Sequence, residues 1–349
     1  YLQIVEFFNR FAANIEKNSF PMKKIITLFV VVAAVFCLAG CKDGGKTHKV
    51  QSQGAAYEVI VVCSNAIWVG QAGDTLRSIM LQPVTMLNQK EPQFDILRVS
   101  PDGFTGLTQR HRNIMVLNVG EKYAEPRIQT VTDVYASPQL VVQIDAPSQA
   151  ALSALLDTSR TDIVRYFETA ERLRDTENAV KYGQKNIDKT IRETFGISLN
   201  IPSGYEIRNA GQGFMWISYE MPTSSQGIII YSYPYTGKTD FTLDNIIARR
   251  NEFVKRIPGP SDGSYMTTVD DAAIVEYKKI NGRAWAEVRG FWDVAGDFMG
   301  GPFASFSTLD TGSGNVICLD FYVYSPQLPK RNYMRALEHI VYSYSQQGQ

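Results

Sequence analysis

"RAWAEVRGFWDVAGDFMGGPFASFSTLDTGSGNVICLDFYVY", residues 283–324, decides the fold. Three runs rich in branched and aromatic residues, 283–294, 303–309 and 316–324, are separated by glycine-bearing stretches, the pattern of successive strands joined by turns. "TGSGNVI" (311–317) fills the second gap. It lacks the third glycine of a dinucleotide-binding loop and joins two strands, so it reads as a hairpin connection. Working upstream, the same alternation of strand and turn extends back to Gly196. "GISLNIPSGYEI" has turns at Pro202–Gly204 and Gly211–Gly213, and "FMWISYE" (214–220), "GIIIYSY" (227–233) and "AIVEYKKI" (273–280) are further strands. Two helices interrupt them. One runs over 242–256 with Leu243, Ile246, Ile247, Phe253 and Val254 apolar, stopped by Pro258-Gly259; the other runs over 330–344 with Met334, Leu337, Val341 and Tyr344 on one face.

Residues 196–349 are therefore expected to form an antiparallel sheet flanked by helices, and their element order resembles the α/β sandwich of the PsbP and Mog1 proteins. Residues 56–195 read differently. "YEVIVVC" (57–63) is a nearly continuous apolar run, as expected of a strand covered on both faces, and "FDILRV" (94–99), "NIMVLNV" (113–119) and "QLVVQID" (139–145) follow it between helical segments. Ala146-Pro147-Ser148 opens another helix. That interleaving predicts a layered α/β domain. It ends in a long helical connector, 159–195, with Ile163, Phe167, Ala170 and Leu173 as its inner stripe, continued by Val180, Ile187, Ile191 and Phe195 after a break near Asn178 and Gly183. Glu171, Arg172, Arg174 and Asp175 are read as its solvated face. The fold class is thus mixed α+β and α/β in two domains.

The start of the chain carries a location signal. Met22-Lys23-Lys24 is a short positive region, 25–38 is an apolar core too short to span a membrane, and "LAGC" (38–41) places small residues before a cysteine. This resembles the export signal and lipobox of bacterial lipoproteins, which implies cleavage between Gly40 and Cys41 and acylation of the Cys41 thiol. Residues 1–21 are then expected to be an upstream extension and 41–55, without apolar periodicity, a flexible tether. The chain has 35 basic and 35 acidic residues, and from Cys41 onward it has 31 and 33, so its charge provides no reason to bind nucleic acid or an anionic membrane surface. Anchoring falls to the acyl chains, at about 0.8 kcal/mol per buried methylene. Beyond Cys37 and Cys41, only Cys63 and Cys318 remain. Two separate thiols packed as small apolar residues are expected, with a disulfide as the alternative.

Together with the lipobox, "NQKEPQFDI" (88–96), "HRNI" (111–114), "GISLNIP" (196–202), "RGFWDV" (289–294), "GGPFASF" (300–306) and "YVYSPQLPKRNYMRALE" (322–338) resemble a family of Bacteroidetes lipoproteins known as domain of unknown function 4837. The resemblance covers the chain from Met22 onward. It implies a cell-envelope location, with the body lipid-anchored in the outer membrane and facing the periplasm or the cell surface, and it implies no activity.

The search for chemistry yields few constellations. "GPSDG" (259–263) fits the pattern of a hydrolase nucleophile elbow, but it follows a helix and carries Pro260 beside the serine, so it reads as a turn. Neither a metal site nor a cofactor is expected, because no Cys/His cluster has ligand spacing. His48 falls in the tether, and His339 lies off the apolar stripe of the last helix, where exposure is expected. His111, flanked by Arg110 and Arg112 before a buried strand, could meet an anion or serve in structural salt bridges. The strongest ligand-binding expectation is "GFWDVAGDFMGGPF" (290–303), where Trp292, Phe298 and Phe303 offer aromatic faces while Asp293 and Asp297 offer hydrogen-bond acceptors. Asp74-Thr75-Leu76 resembles an O-glycosylation acceptor of Bacteroidetes envelope proteins, which requires an exposed Thr75. The expected function is a non-catalytic binding or assembly module partnered by an envelope protein or glycan. The alternative is an envelope hydrolase acting on glycans or cell-wall material through carboxylates such as Asp293 and Asp297.

Overall fold

The computed structural model describes residues 49–346. The signal segment, Cys41, His48 and most of the tether lie outside the described residues. The described residues group as one compact unit, built on two large sheets.

The first sheet takes β1 (Glu58–Val62), followed by two helices, α1 (Asn65–Val69) and α2 (Gln71–Met80), then β2 (Asp95–Val99), β3 (Asn113–Val119), β4 (Arg127–Thr132) and β5 (Leu140–Ala146). Their order is β2-β1-β3-β5-β4. β1 pairs in parallel with both β2 and β3 (Val59 opposite Ile96, Ile60 opposite Ile114), β3 pairs in parallel with β5, and β4 is antiparallel at one edge. Parallel neighbours need crossovers, and α1 and α2 provide the first. The Ser148 side chain accepts from the Ala151 N–H and caps α3 (Gln149–Thr158). All the helices lie on one face: Leu76, Ile79 and Met80 of α2, Leu152 and Leu156 of α3, and Ile163 and Phe167 of α4 (Arg160–Tyr182) pack on Val59, Val61, Met115 and Val142. The other face of β1 is not roofed by helices. Ile60 and Val62 form a small cluster there with Ile114 and Val141, against the partly buried Phe104.

The connector breaks at Gly183, after which α5 (Lys185–Phe195) leads through a two-residue strand, β6 (Ile197–Ser198), to the second sheet. This comprises β7 (Glu206–Gly211), β8 (Phe214–Met221), β9 (Ser224–Pro234), β10 (Tyr265–Ile280), β11 (Arg283–Ala295), β12 (Gly300–Asp310) and β13 (Asn315–Tyr324), ordered β10-β11-β12-β13-β9-β8-β7 and antiparallel throughout. Helix α6 (Leu243–Val254) interrupts the strands, and α7 (Arg331–Glu338) with a 3-10 turn (His339–Ser343) leads to a short last strand, β14 (Ser345–Gln346), which pairs with β6. Alternation along β13 shows the layering. Cys318 and Tyr322 face α6 with Ile246 and Phe253, whereas Ile317, Leu319, Phe321 and Val323 face α5 and α7 with Ile191, Met334 and Leu337. Because both faces are covered, the strands read as unbroken apolar runs. The fold is the expected mixed α/β sandwich.

Two expectations about the connector are corrected. Leu173 and Val180 are exposed, and Glu171, assigned to the solvated face, is 1 % exposed with Arg174 also buried. Glu171 accepts hydrogen bonds from Asn113 Nδ2 (2.6 Å), Arg112 Nη2 (2.7 Å) and Arg174 Nη1 (2.9 Å), so α4 turns its charges onto the polar ends of β1 and β3. A buried carboxylate persists when it is paired in this way.

Candidate functional site

The aromatic stretch from Gly290 to Phe303 is divided by the fold into a buried part and an exposed tip. Trp292 is 1 % exposed; its Nε1 donates to Val323 O (3.3 Å) and its ring meets Tyr322 edge-on at 5.4 Å. Phe303 is equally buried, under the Arg250 guanidinium at 3.8 Å. These two side chains are core, not an open ligand platform, because β11 and β12 lie under α6. The glycines serve close strand packing: a Cβ at Gly301 would stand 2.1 Å from Val323 O. At the tip, Phe298 projects fully into solvent. Asp297 accepts from Ser261 Oγ (2.5 Å) and from the Phe298 N–H (2.6 Å), hydrogen bonds that lower its pKa. Asp293 is exposed and accepts from the Val294 N–H (2.8 Å). Both carboxylates are thus engaged in local backbone and turn contacts.

His111 is also enclosed. Its Nε2 donates to Glu58 Oε1 (2.6 Å), and Gly54, at φ +99°, lies so close that a Cβ there would be 2.1 Å from Nε2. Arg112 spends its guanidinium on Glu171. The strand entrance is therefore occupied by the protein's own carboxylates. Thr75 lies half-buried within α2, where its hydroxyl donates to Gln71 O (3.0 Å) and sits 2.8 Å from Ser153 Oγ. Cys63 and Cys318 are free thiols, both buried. Burial pushes Cys318 up to about 12. Residues 259–263 form a turn and 311–314 a hairpin connection.

The concentration of chemistry lies instead where the two sheets' helices meet. His339, expected to be exposed, is 9 % exposed. Its Nδ1 meets Asp175 Oδ2 on α4 at 2.7 Å, and its Nε2 meets the Tyr57 hydroxyl at 3.1 Å. Burial raises the Tyr57 pKa well above the ordinary phenol value. His339 thus bridges the phenol and the carboxylate through its two ring nitrogens. One turn earlier on α7, Arg335 covers the Tyr57 ring at 4.5 Å and pairs with Glu168 (3.2 Å). Arg331 reaches Asp95 (2.6 Å) and Pro92 O (2.7 Å). The helix is received at its start as well: Glu91 accepts from the backbone N–H groups of Lys330 (2.7 Å) and Arg331 (2.9 Å), a carboxylate at the positive end of the helix dipole.

Beside these contacts opens a cleft of about 280 Å³, lined by residues of both halves, among them Tyr57, Glu168, Arg172, Arg289, Glu338 and Tyr342. Its charges stand in fixed pairs. Arg289 bridges Glu338 (2.8 Å) and Glu287 (2.5 Å), Lys278 pairs with Glu276 (3.2 Å) and Glu287, and the Arg172 guanidinium lies 4.0 Å over Tyr342. Burial pushes the Glu338 carboxyl up, but Arg289, helped by Arg335, outweighs burial and holds it below the usual range. Among the described residues no group of three or more His, Cys, Asp or Glu side chains could hold a metal ion. The cleft offers a polar surface of alternating charge, with a hydroxyl–imidazole–carboxylate chain behind it that runs from the buried Tyr57 through His339 to the half-exposed Asp175. Sequence spacing held one signal for it: Arg331, Arg335 and His339 recur every fourth residue on the face opposite Met334 and Leu337.

Residues 184–343 match the family model described as Domain of unknown function (DUF4837), and residues 52–180 match a second, Domain of unknown function (DUF8532). No curated protein sequence matches the chain. Among the solved structures that resemble it are three that each align with 43 % of this chain. The cyanobacterial PsbP of Synechocystis sp. PCC 6803 is 15 % identical with 86 % of its own chain covered and a TM-score of 0.30. The Ran-binding protein Mog1p of Saccharomyces cerevisiae is 11 % identical, with 89 % covered and a TM-score of 0.30. LpqN of Mycobacterium tuberculosis, described as involved in cell envelope biogenesis, is 16 % identical, with 82 % covered and a TM-score of 0.27.

Proposed function

We propose that this chain is a cell-envelope protein anchored through an acylated Cys41, and that its body is a non-catalytic binding or assembly module whose ligand surface is the charged cleft between the halves. The observation that carries the reading is the closure of that cleft by α7. Among the described residues the cleft's only imidazole, His339 of the C-terminal half, reaches across to both Tyr57 and Asp175 of the N-terminal half, and the Tyr57 hydroxyl is buried with its pKa raised by burial. Such groups hold a surface in shape; a nucleophile would need an exposed, activated oxygen. The paired cations and carboxylates at the mouth suit a partner carrying charges of both signs, which gains specificity from matching the alternation.

Two measurements test it. Fractionation and acyl-chain labelling should find the wild-type chain acylated in the membrane fraction and Cys41→Ala unlabelled; an unlabelled, soluble wild type would end the anchor reading. A photocrosslinker at Tyr342 should form adducts that vanish when Arg172 and Glu168 are exchanged for residues of opposite charge. Adducts that persist unchanged would exclude the cleft as the ligand surface.

A further inference from the structure

A second groove, of about 610 Å³, lies on the α6 side of the antiparallel sheet, before the start of the helix, and shares Lys278 with the lining of the cleft. Its shape follows from small residues. On β11, Ala284 and Ala286 face this side while the bulky Trp285 points to the other core, and in register across β10 they stand opposite Lys279 and Tyr277. Short side chains leave the sheet surface low, and Ala284, the second residue of β11, is exposed. Leu309 bounds one side. Tyr277, 68 % exposed, forms the other wall, tied by its hydroxyl to Phe241 O (3.0 Å) in the 3-10 turn Lys238–Phe241.

The charge of this groove is one-sided. Its lining contains Lys238, Lys278, Lys279 and Arg283 and no carboxylate, on a chain whose net charge is zero. Lys278 is committed to Glu276 and Glu287, and Arg283 donates to Leu309 O (2.9 Å) and to Gln346. Lys238 and Lys279 make no ion pair among the described residues. The neutral donors are spoken for too: Thr308 Oγ1 donates to Ala284 O (2.8 Å), and Ser307 Oγ lies 3.1 Å from Cys318 Sγ. An apolar floor, aromatic walls, no free hydroxyl and two unpaired ammonium groups at the rim describe one class of ligand.

We propose that this groove binds a single-chain anionic amphiphile, its hydrocarbon tail laid along Ala284, Ala286 and Leu309 between Tyr277 and Phe241 and its carboxylate between Lys238 and Lys279. A sugar would need the hydroxyl and amide partners that the lining has already used, whereas an acyl chain needs only area removed from water, at about 25 cal/mol per Å². Apart from Lys278, which lines both, the site uses none of the cleft's residues.

Calorimetric titration of the full chain with dodecanoate below its micelle concentration tests this. Saturable binding is expected, with dodecanol weaker by about tenfold, as two solvent-exposed charge contacts would provide, and with added salt narrowing that gap. Ala284→Phe should abolish binding by filling the floor with a side chain that suits a strand. Should that variant melt early, Lys238→Gln combined with Lys279→Gln carries the test, because both side chains are exposed and the double variant should bind dodecanoate no better than dodecanol. Equal binding of alcohol and carboxylate to the wild type would overturn the proposal. So would unchanged dodecanoate binding in a folded Ala284→Phe, or tighter binding of a glutamate-rich peptide at the same groove.

Discussion

Two buried arginine–carboxylate sites in this molecule do opposite things with the same chemistry. Under α6, Arg250 and Asp320 are both fully buried and paired at 2.8 Å, with Thr268 taking a further guanidinium N–H and Phe303 stacked on the plane. At the cleft, Arg289 pairs with Glu338 and Glu287 within reach of Lys278 and Arg335. Burial raises the Asp320 pKa despite the pull of Arg250, whereas at Glu338 the cations prevail and the pKa falls. A lone pair sealed among aromatics pays for desolvation, while a network open on one side retains water and extra counter-charge. The first is an internal brace and the second a charge network at the wall of the cleft.

The largest effects should come from breaking the brace. Asp320→Ala leaves Arg250 buried without a counter-ion and should cost about 3–5 kcal/mol in denaturant unfolding. Trp292→Ala should cost a similar ~3–5 kcal/mol through the cavity it leaves. If Trp292 instead belonged to a ligand surface, stability would hold and only binding would fall. His339→Ala, at the cleft, should cost less, about 1–3 kcal/mol, by stranding the Tyr57 hydroxyl and the Asp175 carboxylate. Its distinguishing mark is local: hydrogen exchange should quicken at 57–62 and along α7 before the antiparallel sheet responds.

The comparison is sharpest in acid. Glu338 has a depressed folded-state pKa, so the stability it lends is complete above the ordinary carboxylate range and is lost as pH falls through that lowered value. Asp320 has a raised one, so its contribution is greatest at low pH and shrinks as pH rises through the raised value. Melting temperatures followed from neutral pH into acid should therefore diverge. The gap between wild type and Glu338→Gln should close on acidification, and the gap between wild type and Asp320→Asn should widen. Gaps that move together would show that the two sites share one electrostatic environment.

What the sequence disclosed follows from the same physics. The strands of the second sheet were legible because both faces are covered, which leaves runs such as "GIIIYSY" and "VICLDFYVY" with no competing period. The edge strand β4, "RIQTVT", escaped notice because it is largely exposed and polar, with nothing to bury and so no alternation to read. The aromatic residues of 290–303 showed strand character but not which of them the helix α6 would cover. His339 was harder still. Its partners stand 164 and 282 positions away, so its burial is a property of the packed halves and not of its own helix.

The smallest predicted effect is the most diagnostic for the hairpin tip. Phe298 is fully exposed between Asp297 and Met299 and packs on nothing that folding would lose, so Phe298→Ser should shift stability by no more than about 0.5 kcal/mol. Its neighbour Trp292, six residues earlier in the same stretch, differs from it by the whole cost of a core cavity. An aromatic side chain retained in solvent at the end of a rigid hairpin gains nothing for the fold. If Phe298→Ser is silent in unfolding but weakens capture of an envelope partner, the tip joins the cleft as a contact surface. If it is silent in both, the aromatic stretch is wholly a matter of packing, and recognition rests with the cleft.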